Sequence, residues 1–252
     1  MRTGTVITGI GILLLATSFT GTGPTAKEII KKAEDNLRGT TSTSEMTIDV
    51  VRPQWKRTMK LKSWSKGTQY SMTLITAPAE DQGTVFLKRD KEIWNWVPSV
   101  ERVIKLPPSM MMQSWMGTDF TNDDLVKASS KTDDYTQKII NDTAVVEQRK
   151  CWKIELIPLP AAGVVWSKVN IWVDQADYLE LRSEYYDEDS TLTMVFKASD
   201  IRKMGGRTIP AKIEVIPAGK KGQETILTYN SITFDQPISD DFFTTQNMKT
   251  VK

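Results

Sequence analysis

The 252-residue chain contains no histidine and a single cysteine, Cys151. Ser-His-Asp and Cys-His pairs, imidazole metal ligands and a side chain that titrates unperturbed near neutral pH are therefore all missing. Most hydrolase mechanisms are excluded. The acid–base candidates that remain are Asp119, Asp123 and Asp124, which could offer two carboxylates across a cleft for glycoside chemistry, or clustered oxygens for calcium. Their spacing lacks the glycine and glutamate positions of an EF-hand, and acids ahead of a helix are the ordinary product of capping and the helix dipole. Capping is the expected role. The reading is no enzyme, no metal and no cofactor. Cys151 lies in an apolar strand, where a buried and inert thiol is expected, and one cysteine cannot form an internal disulfide.

The more unusual chemistry is apolar. Trp94, Trp96, Met110, Met111, Met112, Trp115, Met116 and Phe120 concentrate flexible and aromatic mass in a short stretch. Methionine adapts its shape to variable apolar partners, and tryptophan adds rigid area with a polar edge. Taken singly, each of these residues is expected to pack a core; as a group they favour a cavity. Three consecutive methionines cannot all face one core from a short helix, so at least one faces solvent, a groove or a ligand. Lys56, Arg57, Lys60, Lys62 and Lys66 form a basic strand region, ordinarily a solvated edge, with weak attraction to anionic head groups as its functional reading.

The elements that must position these residues follow from periodicity. Thr25 and Glu28 have capping-box spacing ahead of Ile29, Ile30, Ala33 and Leu37, and Gly39 stops the helix. The period then changes to two. Met46, Ile48 and Val50 alternate with polar residues, as do Met59, Leu61 and Ser63, then Tyr70, Met72 and Leu74. Further strand runs cover 84–88, 93–97, 100–106, 135–140, 145–157, 164–173, 179–186, 191–199, 208–216 and 224–234, with turns expected at Asn141-Asp142, Asp187 to Ser190 and Gly205-Gly206. Between Leu106 and Ser130 the sheet is interrupted. Pro107 and Pro108 stop a strand, Ser109 to Met116 is compatible with a short helix ended by Gly117, and Thr121 with Asp124 makes a weaker capping signal before Leu125.

The N-terminus reads as a cleavable export signal, residues 1–23. Arg2 supplies the positive end, Val6 to Ala16 the apolar run, and Ser18 to Gly23 the small residues for cleavage. The run is broken by Thr8, Gly9 and Gly11 and is shorter than the ~20 residues a bilayer needs. Residues 24–252 are then expected to be one soluble domain outside the cytoplasm, large enough for a core without disulfides. The net charge is +2, and loss of Arg2, the only charged residue before Lys27, leaves +1. That balance argues against a nucleic-acid partner.

Trp94-Asn95-Trp96-Val97-Pro98, followed by Arg102, and then Met116-Gly117-Thr118-Asp119-Phe120-Thr121-Asn122-Asp123-Asp124-Leu125, resemble the outer membrane lipoprotein-sorting protein family, exported relatives of the LolA and LolB lipoprotein carriers. Ile171-Trp172-Val173-Asp174 and Tyr185-Tyr186-Asp187 match further strand signatures, and the likeness runs from the first helix to Phe242-Phe243. The resemblance implies a mainly β fold with a few helices: an unclosed antiparallel β-barrel whose helical lid covers an apolar cavity for acyl chains. It also implies a periplasmic carrier for a lipid or lipoprotein, in transient contact with membranes, with an inner-membrane exporter of the resistance-nodulation-division type or an outer-membrane acceptor as partner. A non-transporting accessory subunit of such an exporter is the alternative. The cavity and lid are assigned to Met59, Leu61, Met72, Leu74, Trp94, Trp96, Met111, Met112, Trp115, Met116, Phe120 and Trp172. Arg52 and Arg57 are the candidates for the lid-controlling arginine of the carriers.

Overall fold

The computed structural model describes residues 23–122, 131–160, 162 and 164–252. The expected export signal, apart from Gly23, and the motif residues Asp123, Asp124 and Leu125 lie outside them.

Helix α1 (Ala26–Arg38) begins as its spacing predicts. The Thr25 N–H donates to Glu28 Oε2 at 2.8 Å, and the Glu28 N–H donates back to Thr25 Oγ1 at 3.3 Å. Gly39, at φ 67°, ends it. The apolar stripe Ala26, Ile29, Ile30 and Ala33 is buried. After α1 come β1 (Thr41–Arg52), β2 (Trp55–Lys66), β3 (Tyr70–Ala77), β4 (Val85–Arg89), β5 (Glu92–Val97) and β6 (Arg102–Lys105). The second half supplies β7 (Tyr135–Val146), β8 (Arg149–Pro158), β9 (Lys168–Asp174), β10 (Glu180–Tyr186), β11 (Leu192–Met204), β12 (Arg207–Pro217) and β13 (Glu224–Phe234).

All thirteen strands form one antiparallel sheet in the order β6-β5-β4-β3-β2-β1-β13-β12-β11-β10-β9-β8-β7. The first and last strands pair at its centre, and β6 and β7 stand at opposite edges. The sheet is therefore unclosed, as expected, and the chain from Leu106 to Asp134 has to travel from one edge to the other. One expected turn is corrected. Asn141-Asp142 is a register irregularity within β7, and the hairpin turns instead at Glu147 and Gln148, both at positive φ. Neither residue is a glycine, so the turn carries no compositional mark.

Directly opposed residues of an antiparallel sheet point to the same face. One row crosses the sheet as Ile171, Ser183, Phe196, Val215, Thr225, Val50 and Arg57. This defines the inner face. Helix α1 covers its β7–β9 end, packing on Tyr135, Ile154, Leu156, Val169, Ile171 and Val173. Near the other end, Trp115 with Met111 and Met116 packs on Ile48, Val50, Met59, Leu61, Ile75, Phe86 and Ile93. The outer face of β2–β6 is covered as well. Phe243 and Met248, with Ile238, Phe242 and Val251, pack on Trp64, Met72, Leu74, Leu87, Trp94 and Trp96.

The segment Ser109 to Met116 is not the helix its composition suggested. A 3-10 turn at Pro108–Met110 leads into a tight loop closed by the Ser114–Thr121 bridge and by the Trp115 N–H donating to the Phe120 carbonyl at 2.8 Å. At its tip Met116 and Gly117 both have positive φ, 53° and 77°, a conformation that ends any helical course. Met110 and Met112 are exposed while Met111 packs inward.

Candidate functional site

Between α1 and this loop the inner face is uncovered, and a cavity of about 450 Å³ opens there, within the ~300–1,000 Å³ range of small-molecule sites. Its wall divides by chemistry. β10–β13 contribute Leu181, Tyr185, Phe196, Ala198, Ile213 and Tyr229, an apolar surface extended by Leu37 of α1. β1 and β2 contribute Ser42, Ser44, Ser63 and Ser65. The division follows the strands. Along β1 the inner positions read Ser42, Ser44, Met46, Ile48, Val50, and opposite them β2 reads Ser65, Ser63, Leu61, Met59, Arg57. The buried apolar ends lie under the Trp115 loop; the serine ends face the cavity.

Charged groups rim the opening. Arg38 and Lys131 line it against Glu34 and Glu180, whereas Arg182 and Lys197 border it from outer-face positions, Arg182 lying over Trp172. Lys131 Nζ grips both carboxylate oxygens of Glu180, at 2.7 and 2.6 Å. Burial works to lower the Lys131 pKa, but the Glu180 carboxylate outweighs it and holds the ammonium above its ordinary value. Burial pushes the Glu34 carboxyl up, partly offset by Lys131 and Arg38. Lys88, on β4, is buried and its pKa is pushed down to about 8, by burial and then by the nearby Arg38 guanidinium. Among the described residues no group of three or more Cys, Asp or Glu side chains is placed to hold a metal ion. Cys151 is fully buried, and burial raises its thiol pKa.

Residues 67–250 match the profile of a family described as uncharacterized protein. The chain belongs to that family, and its fold is LolA-like. No curated protein matches. The fold is shared with a DUF1329 family protein from Desulfovibrio piger, 22% identical, TM-score 0.80, covering 88% of this chain and 97% of that one. An outer membrane lipoprotein-sorting protein domain from Vibrio parahaemolyticus is 18% identical, TM-score 0.77, covering 89% and 98%. A LolA superfamily protein from Nitrosomonas europaea is 23% identical, TM-score 0.74, covering 89% and 100%. The fold that the resemblance of the Trp94–Pro98 and Met116–Leu125 segments implied is the fold found.

Within this LolA-like fold the Met116–Phe120 motif is a clamped turn. Arg52 donates to both Asp119 oxygens, at 3.0 and 3.1 Å, and to the Gly117 carbonyl at 3.0 Å. Arg57 donates to the Met116 carbonyl at 3.1 Å and pairs with Asp81. Thr225 Oγ1 donates to Asp119 Oδ2 at 2.7 Å. Asp119 is thus the anchor that ties the loop to the rim of β1 and β13; Asp123 and Asp124, grouped with it as capping or catalytic acids, lie outside the described residues.

The residues assigned to the cavity from sequence lie beside it and are not among those that line it. Met59, Leu61, Met111, Trp115 and Met116 fill the inner-face cluster under the loop, and Met112 is exposed. Phe120 reaches the wall indirectly, its ring 6.0 Å from that of Phe196. Met72, Leu74, Trp94 and Trp96 are on the outer face beneath Phe243 and Met248. Trp172 also points outward, opposite Lys153 and Arg182. The physical reason is that both faces of β3–β5 are buried, so apolar alternation there cannot tell which face meets the cavity. The serines and Arg38 were passed over because small polar and charged residues carry no apolar periodicity. Their one signal was alternation: Ser42 and Ser44 continue the inner-face phase of Met46, Ile48 and Val50.

Proposed function

We propose that the protein is an exported carrier, and not an enzyme, that shelters the acyl chain of a lipid or lipoprotein between α1 and the Trp115 loop while it crosses the aqueous space between two membranes. The observation that carries this reading is the cavity itself: an apolar wall from β10–β13 opposed by a polar mouth of serines and charged groups. Such a site suits an amphiphile. Each methylene moved from water onto the apolar wall contributes about 0.8 kcal/mol, so a chain is held firmly while its headgroup stays hydrated. The N-terminal apolar run supports export, and no helix among the described residues is long and apolar enough to cross a membrane. The fold neighbour named as a lipoprotein-sorting domain supports the same reading. A donor or acceptor membrane component is required, because a carrier that binds by burial must be unloaded.

Native mass spectrometry of gently purified protein tests the reading, together with displacement of a fluorescent fatty acyl probe. Co-purifying lipid, and probe binding lost in Ala198→Trp, which fills the cavity, are the expected results. An empty protein that binds no probe overturns the carrier reading and favours an accessory subunit of an exporter.

A further inference from the structure

The apolar wall explains a chain but not the serines and cations at the other end of the cavity. Ser42 on β1 is directly opposite Ser65 on β2, Ser65 is opposite Ser71 on β3, and Ser71 is opposite Lys88 on β4. These residues form one row on the inner face. Ser42 and Ser65 share a hydrogen bond of 2.7 Å. Lys88 is only 6% exposed, and its ammonium donates to the Thr68 carbonyl at 2.6 Å. An ammonium has three donors, so that bond leaves donors over. Burying a charge without a counter-ion is costly, and buried charges are ordinarily paired. Among the described residues, Lys88 and Arg38 form no ion pair with a carboxylate. The neighbouring acids are Asp90 and Glu34: Asp90 is exposed, and Glu34 accepts from the Lys131 N–H.

Arg38 sits at the C-terminus of α1, where an arginine often satisfies the last carbonyls of its own helix. Here Arg207 does that work, donating to the carbonyls of Asp35 and Asn36 at 2.8 and 3.0 Å. Arg38 instead lines the cavity. Arg38 thus stands with Ser42 and Ser65 at the polar end of the cavity, and Ser71 and the buried Lys88 continue the same row of the inner face beyond that lining.

We propose that Arg38 and Lys88, with the hydroxyls of Ser42, Ser65 and Ser71, form an anion subsite that receives the carboxylate or phosphate headgroup of the amphiphile. The proposal rests on the carrier reading and adds the headgroup class to it. Guanidinium and ammonium donors recognise these oxyanions through charge-assisted hydrogen bonds, and the serine hydroxyls supply neutral donors across the floor.

Isothermal titration with decyl phosphate, decanol, decyltrimethylammonium and inorganic phosphate tests it, using the full chain and the variants Arg38→Gln, Lys88→Met and the double variant. Decyl phosphate is expected to bind about tenfold tighter than decanol, a difference one charged hydrogen bond can supply, with decyltrimethylammonium weakest. The double variant should erase that gap, so that decyl phosphate and decanol bind it alike. If Lys88→Met does not fold, Arg38→Gln alone should narrow the gap. Equal binding of decyl phosphate and decanol, or a gap that survives in the variants, overturns the subsite and leaves the carrier reading intact. Inorganic phosphate binding as tightly as decyl phosphate overturns the headgroup assignment in favour of a free anion. Failure of every alkyl probe to bind sinks both readings.

Discussion

Arg52 and Asp119 pair with side chains only 14% and 9% exposed, and breaking such a pair by removing one partner strands a buried charge. Asp119→Ala is expected to cost about 3–5 kcal/mol in urea unfolding, far more than loss of a surface ion pair. An unchanged unfolding midpoint would show that the clamp does not hold the loop. Lys88 makes a prediction of opposite sign. Its pKa is lowered to about 8 in the folded protein from 10.5, so between those values the unfolded chain binds more protons than the folded one. Stability should therefore rise with pH through that window. Lys88→Met should be more stable at pH 7 and should flatten the rise, as read by chemical denaturation at pH 7 and pH 10. A buried cation that costs stability when empty is the cost expected of a binding group. That lysine was invisible to periodicity, because its face is decided by the strand pairing and not by its own type.

At the scale of elements, the outer-face cover and the inner cavity should respond independently. Phe243 is fully buried against Tyr70 and Phe242, with ring centroids 5.5 and 5.3 Å away. Phe243→Ala should cost about 3–5 kcal/mol, yet acyl-probe affinity of the folded protein should be unchanged, since this packing is on the opposite side of the sheet. A matched loss of probe binding would place the Trp94 and Trp96 cluster back in the cavity. Gly117 has open space around the position of a Cβ but a φ of 77°. Gly117→Val is expected to destabilise the loop through backbone strain by more than about 1 kcal/mol, measured as a lower thermal midpoint. The capping box, the strand runs and the glycine turn at Gly205-Gly206 were legible in the sequence because each is set by local stereochemistry. The Glu147-Gln148 turn and the coil of the Ser109–Met116 segment were not. Their positive-φ residues are imposed by hairpin closure and by the arginine clamp.

At the scale of the whole molecule, the cavity is what remains when α1 covers one end of the inner face and the loop near the other covers a second region. Its fixed volume of about 450 Å³ predicts a length limit. In a series of linear alkyl phosphates, affinity should climb by about 0.8 kcal/mol per methylene and then level off once the wall is filled. A rise with no plateau, followed by titration calorimetry within the soluble range, would show that the chain lies on an open surface. The placement of β1 beside β13 makes this geometry possible. It brings the serines of the first strands against the apolar wall of the last ones.

The sequence by itself determined the class: a mainly β chain with one capped helix, no histidine for common catalysis, and an apolar interruption between two runs of strands. Those features are local, fixed by side-chain period, capping chemistry and composition. The tertiary structure alone decided which apolar residues are core and which line a cavity. That choice depends on what covers each face of the sheet, and here the covers come from far along the chain. Phe243 and Met248 bury one side of β3–β5, α1 and Trp115 bury parts of the other, and the uncovered inner face carries serines, beside Arg38 of α1, that no apolar pattern marks.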